Sequence, residues 1–140
     1  MRKMLLLSAI VAILGAATLP ARAQDADSDL NLAVEDELLD KNIEALRKEG
    51  ISLYFANDLK KSKSKLEEAL TLADKGLEVN SKSVNSMRNR AGVLIWLAFI
   101  DGKQGRKKDR VEKWKQVVSI TDATFKLDPK NTRIPLTYAY

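Results

Sequence analysis

LEVNSKSVNSMRNRA, residues 77–91, holds the grammar of the whole chain. Leu77 and Val79 close one apolar helical pattern. Asn80-Ser81-Lys82-Ser83 then supplies turn formers and a serine able to cap the next helix. Val84, Met87 and Ala91 open a new pattern at helical spacing. A connector this short between two helices folds the second back antiparallel to the first. The same order recurs in FKLDPKNTRIPLTYA, residues 125–139. Val79 aligns with Leu127, Asn80 with Asp128, Ser81 with Pro129, Lys82 with Lys130 and Ala91 with Ala139.

Outward from this connector the chain reads as helices joined by short turns. Leu32, Leu39, Ile43, Leu46 and Leu53 predict a helix from about Leu30 to Ala56, ended by the turn formers Asn57-Asp58. Leu59, Leu66, Leu70, Ala73 and Leu77 mark a second helix. Val84, Met87, Ala91, Leu94 and Ala98 mark a third. Gly102 and Gly105 bracket a polar loop. Val111, Trp114, Val118, Thr121 and Phe125 mark a fourth, stopped by Pro129. No segment alternates apolar and polar residues as a half-buried strand does. The expected class is therefore all-α: about four helices in antiparallel hairpins, stacked as a short solenoid or bundle over residues 30–140.

The N-terminus has a different pattern. Arg2 and Lys3 precede an apolar run from Met4 to Leu19, then Pro20 and Ala21-Arg22-Ala23. This is the three-part signature of a secretory signal peptide, with cleavage expected after Ala23. The run falls short of the roughly 20 apolar residues a spanning helix needs, so no stable membrane anchor is expected after cleavage, and the mature protein is expected to be periplasmic or secreted. Residues 24–29, with their DADSD acids, are expected as a loose lead-in.

Composition removes whole classes of chemistry. The chain has no cysteine and no histidine. Disulfides, thiolate metal sites and a cysteine nucleophile are excluded, as are an imidazole base and a Ser-His-Asp triad. An enzyme would have to work with carboxylates, lysine or tyrosine, and no cofactor or metal is expected. Charge is unevenly spread. Residues 24–58 hold ten acids and three bases, whereas residues 59–140 hold nine acids and eighteen bases. Such asymmetry points to internal pairing or to a basic surface for an anionic partner. Export argues against nucleic acid as that partner.

EEALTLADKGLEVNS, residues 67–81, resembles the second helix of a tetratricopeptide repeat, with Ala69, Ala73 and Gly76 on its small positions. EALRKEGISLYF, residues 44–55, resembles the first helix of such a repeat, with Gly50 at the tight-packing position and Leu53 or Tyr54 at the aromatic one. The resemblance covers most of residues 30–140. It departs in period, because Val79 and Leu127 are 48 residues apart, against about 34 in the family. Two extra helical turns per helix restore the phase, which suggests elongated helices.

Members of that family bind proteins in a concave groove lined by the first helix of each pair. The resemblance places Arg47 and Lys48 of the first helix on that groove, Asn85, Arg88 and Asn89 of the third, and Arg133 after the last connector. Asn can anchor backbone groups while cations hold a carboxylate, as some members do. A solvated helix face would have the same composition. The implied function is a non-enzymatic adaptor that binds a peptide or helix of an envelope protein.

Other motifs carry less. DADSD has the 1-3-5 acid spacing of a calcium loop, but Leu30 stands where glycine is required. KKSKSK (60–65) and GKQGRKK (102–108) are basic runs that could touch anionic envelope polymers or lipid phosphates, or simply be solvated. Glu67-Glu68 and Glu35-Asp36-Glu37 are neighbours along a helix and do not face each other, which makes a carboxylate-based enzyme acting on envelope polymers the weakest alternative. VLIWLAFI (93–100) is apolar on every side. It is either central to the fold or covered on one face by another molecule, with Trp96 and Phe99 as anchors. The joint at 125–133 is followed by Ile134, Leu136, Tyr138 and Tyr140, too apolar for a polar cap. Trp114, Val118, Phe125, Tyr138 and Tyr140 are therefore expected on a docking surface. That surface supports a second alternative, a subunit that stacks with copies of itself into a homo-oligomer.

Overall fold

The computed structural model of the protein describes the backbone over residues 21–130 and side chains over residues 28–130. The expected signal segment through Pro20 lies outside the described residues, as do Arg133, Ile134, Leu136, Tyr138 and Tyr140. The described chain is four helices: α1 (Ala21–Phe55), α2 (Leu59–Val79), α3 (Val84–Lys103) and α4 (Lys107–Leu127). No strand occurs among the described residues. α1 takes in residues 24–29, the stretch expected as a loose lead-in. By compactness the chain divides into Met1–Glu35 and Asp36–Tyr140. In the first unit the described side chains are exposed, including Leu32, which periodicity had assigned to the buried stripe (47% exposed).

In the second unit the turns form where their residues require them. Asn57 closes α1 at φ 62°, a left-handed conformation that Asn tolerates better than most residues. Asp58 then caps α2, accepting from Lys61 N at 3.2 Å, and Ser83 caps α3, accepting from Ser86 N at 3.2 Å. α3 runs through Gly102, so the expected loop between glycines shrinks to Gln104–Arg106. Gly105, at φ +72°, is the one of the pair that the turn needs.

Contacts fix the helix order. Ser62 Oγ donates to Gly50 O at 2.7 Å, and Gly76 lies against Leu39. The pairing 50 with 62 and 39 with 76 makes α1 and α2 antiparallel. Arg90 reaches Asp74 at 2.6 Å across α2 and α3. Lys113 reaches Asp101 at 2.5 Å, and Thr124 approaches Met87 Sδ at 3.7 Å across α3 and α4. Both interfaces are again antiparallel. α1 and α3 then run side by side in the same direction, since Asn89 meets Asp40 and Lys103 meets Tyr54.

α3 is the centre of this arrangement, touching all three other helices. Ile43, Leu66, Ala69, Ala73, Val93, Leu97 and Ile100 form the main core. Each large aliphatic side chain buried there contributes about 1.5–3 kcal/mol. Of VLIWLAFI, only Trp96 and Phe99 retain partial exposure. α2 presents its small side: Ser62, Leu66, Ala69, Ala73 and Gly76 are all buried, at the i, i+4, i+7 spacing of one helix face.

Of the residues that mark α4 in the sequence, Val111, Val118 and Phe125 are 53%, 61% and 54% exposed. Val117 and Thr124 are buried instead, with Trp114 and Ile120 half-buried against Leu94 and Ile95. The buried stripe lies about one residue, or 100°, round the helix from the exposed one. Thr124 tolerates the core because its hydroxyl donates to Ile120 O at 2.7 Å.

Candidate partner-binding site

The parallel pair α1 and α3 carries a polar face built at helical spacing. From α3 come Arg88, Asn89 and Gly92, and from α1 come Asp40 and Arg47. Asn89 Nδ2 donates to Asp40 Oδ1 at 2.7 Å. Arg47 Nη1 lies where a side chain at Gly92 would go, 2.8 Å from the position of its Cβ. Gly92 thus admits the guanidinium between the helices. Burial pushes the Asp40 carboxyl above its ordinary range and the charge of Asp36 adds to this, while the Asn89 hydrogen bond and the Arg88 charge pull it back. Arg88 Nε is buried without a hydrogen-bond partner.

Of the six residues expected on a basic groove, the structure brings Arg47, Arg88 and Asn89 together. Asn85 is exposed one turn earlier on α3. Lys48 sits about 100° round α1 from Arg47, its ammonium held by Glu44 at 2.7 Å. Arg133 lies outside the described residues. Sequence reasoning missed Asp40, which makes this face mixed in sign rather than basic. The available signal was its place seven residues before Arg47, two turns back on the same face. It also missed Gly92, which continues the 85, 88, 89 spacing.

Beside the polar face runs a chain of aromatic rings. Tyr54 and Phe55 each meet Trp96, at centroid distances of 5.5 and 5.9 Å. Trp96 meets Phe99 at 5.5 Å, and Phe99 meets Trp114 at 6.0 Å. All are edge-to-face, the arrangement that ring quadrupoles favour. Lys103 Nζ lies 4.0 Å from the Tyr54 ring centroid. Trp114 continues into an open groove of about 380 Å³ lined by Val111, Trp114, Lys115 and Val118. Four of the expected docking residues, Trp96, Phe99, Trp114 and Val118, therefore form one continuous apolar path. Phe125 is exposed two turns further along α4; Tyr138 and Tyr140 lie outside the described residues.

A buried acid pins the α3–α4 hairpin. Asp101, 3% exposed, lies 2.5 Å from Lys113 Nζ and 3.2 Å from Arg106 Nε. Arg106 Nε is not aligned to donate, so its contact is ionic rather than a hydrogen bond. With both cations in place this carboxylate is structural.

Among the described residues no group of three or more acidic side chains could hold a metal ion, and no helix is long and apolar enough to cross a membrane. The chain matches no protein-family model, and it shows no match to a curated protein or to a solved structure.

Proposed function

We propose that this protein is an exported, non-enzymatic interaction module of the tetratricopeptide type with elongated helices, which holds a segment of an envelope protein on its α1–α3 face. One observation carries the reading: two parallel helices separated in sequence by α2 present Arg47, Arg88, Asn89 and Asp40 beside half-buried aromatic rings. In a stacked helical-hairpin repeat, the first helices of successive pairs lie parallel and line the binding surface. Arg88 as a whole is only half-buried, so its guanidinium can pair with a partner carboxylate. Arg88 and Trp96 are about 12 Å apart along α3. A segment with a carboxylate and an apolar side chain about four residues apart in extended form spans both.

The test is selection from a displayed random-peptide library against the wild type and against Arg47→Ala/Arg88→Ala. The reading expects enrichment of acidic segments with an apolar residue at that spacing, lost in the double variant while its melting temperature holds. Equal enrichment by both proteins, or none by the wild type, refutes it.

A second reading rests on α4. Val111, Val118 and Phe125 are each more than half exposed along one face, which suits stacking of a second copy. Sedimentation of wild type and Val118→Lys separates the two: a concentration-dependent oligomer abolished by the lysine favours self-stacking, and a monomer in both favours the adaptor.

A further inference from the structure

Two basic runs that are far apart in sequence meet at one end of the fold. KKSKSK (60–65) opens α2, and GKQGRKK (102–108) joins α3 to α4. Taken singly, each reads as a solvated charge run. The contact of Lys103 with Tyr54, 4.0 Å from ring centroid to ammonium, puts the end of α3 beside the end of α1. The α1–α2 and α3–α4 turns therefore lie at the same end. Lys60, Lys107, Lys108 and Arg110 are exposed there, and none has an ion pair among the described residues.

Two of the acids at this end are already engaged. Asp58 caps α2 and pairs with Lys61 at 3.3 Å. Asp101 is buried between Arg106 and Lys113. Asp109 and Glu112, in the first two turns of α4, remain beside Lys107, Lys108 and Arg110, and with Lys60 counted the four cations still outnumber these two acids. At the same end α1 finishes on Phe55, at 73% the most exposed large apolar side chain described, its ring edge-on to Tyr54 and Trp96. Phe55 precedes the left-handed turn at Asn57. An exposed aromatic at a helix end that shares one end of the fold with unpaired cations combines the two features with which proteins hold a lipid surface. The ring enters the headgroup boundary while the cations meet lipid phosphates. A soluble polyanion would use the cations but leave Phe55 in water.

We propose that this end of the protein docks onto the surface of an anionic membrane, with Phe55 entering the headgroup layer and Lys60, Lys107, Lys108 and Arg110 on the phosphates. This leaves the α1–α3 face open to the side, but it does not depend on what that face binds.

The chain has no cysteine, so a single introduced one takes a polarity-sensitive fluorophore without interference. Ala56→Cys labels the proposed contact and keeps Phe55. Ser81→Cys labels the α2–α3 turn at the opposite end. Each full-length labelled protein is mixed with vesicles of phosphatidylcholine alone or with added phosphatidylglycerol. The expected result is a blue shift at position 56 on the anionic vesicles, none at position 81, and reversal by 1 M salt, which shortens screening to about 3 Å. Each lysine near such a surface is worth about a fivefold change in partitioning. Lys107→Gln/Lys108→Gln in the Ala56→Cys protein should therefore weaken it about twenty-five-fold, with an unchanged melting temperature. No shift at position 56, an equal shift at position 81, or an equal shift on neutral vesicles overturns the proposal. A response to soluble polyphosphate but not to vesicles also overturns it and assigns the cations to a polymer.

Discussion

Gly50→Ala should destabilise the protein although alanine is the better helix former. The new Cβ would lie 2.7 Å from Leu66 Cγ, 3.0 Å from Leu66 Cδ2 and 3.4 Å from Ser62 O. Leu66 is fully buried, and moving its Cγ requires a χ1 rotation that the close-packed core opposes. The helices cannot simply separate, because Gly50 O accepts the Ser62 hydroxyl at 2.7 Å. Overpacking of this kind costs about 1–3 kcal/mol. Replacing glycine within a helix returns about 1 kcal/mol. With two distances at or below 3.0 Å, the steric cost should fall in its upper range, leaving a net loss of about 1–2 kcal/mol. For a domain of this size that lowers the melting temperature by about 4–8 °C for each kcal/mol. The decisive experiment is a double-mutant cycle with Leu66→Ala, read by urea denaturation. That variant alone costs about 2–5 kcal/mol, so the cycle is run in stabilising osmolyte. With the leucine gone, Gly50→Ala should change sign and stabilise by about 1 kcal/mol. A neutral or stabilising effect in the wild type, or the same cost in both backgrounds, would refute the close-contact argument.

Asp101→Asn should cost about 2 kcal/mol, because Lys113 and Arg106 lose their shared anion but keep partial access to water; thermal melting checks this, and an unchanged melting temperature would remove Asp101 as the hairpin's anchor. Asp40 gives a pH signature. Its carboxyl titrates above its ordinary value of 3.8 in the folded protein, so its favourable contribution is fully present below that value and is lost as pH rises through the raised one. Asp40→Asn should accordingly gain stability relative to wild type at pH 7, and the gain should vanish as pH falls toward 3.8; a difference that stays constant with pH contradicts the assignment. Ser62→Ala should cost about 1 kcal/mol in urea denaturation by removing the buried hydrogen bond to Gly50 O. Val118→Lys should leave the melting temperature unchanged, since Val118 is 61% exposed; a drop of several degrees would mean that this face of α4 is covered.

The helices were legible because each carries its own punctuation. Asn57-Asp58, Asn80 to Ser83 and Gly105 are local instructions, and they produce a left-handed residue, two side-chain caps and a positive-φ glycine where they stand. Gly50 was expected as a close contact only through the resemblance of residues 44–55 to the first helix of a repeat, and it lies against Leu66. The candidate site was legible in part. Arg47, Arg88 and Asn89 were placed on one face by the resemblance, and Asp40 shares the α1 face of Arg47 by helical phase, but its pairing with Asn89 depends on how far α1 is slid along α3.

From sequence alone came an all-α chain, its four helices and their connectors, and the missing histidine and cysteine; the start of α1 at Ala21 rather than about Leu30 and the central place of α3 did not. The helices and connectors rest on turn chemistry and on one-dimensional periodicity, which each segment holds within itself. The tertiary structure decided the rotation of α4. Its sequence has two apolar stripes, Val111-Val118-Phe125 and Val117-Ile120-Thr124, and periodicity weighs them nearly alike. What separates them is whether α3 offers Leu94 and Ile95 or empty space, and that depends on packing. It decided too that KKSKSK and GKQGRKK share one end, since contacts of Tyr54 and Phe55 with α3 bring the two ends together. A charge run does not encode its neighbour across the fold, because charges at the surface are held in place by the helices beneath them and not by each other.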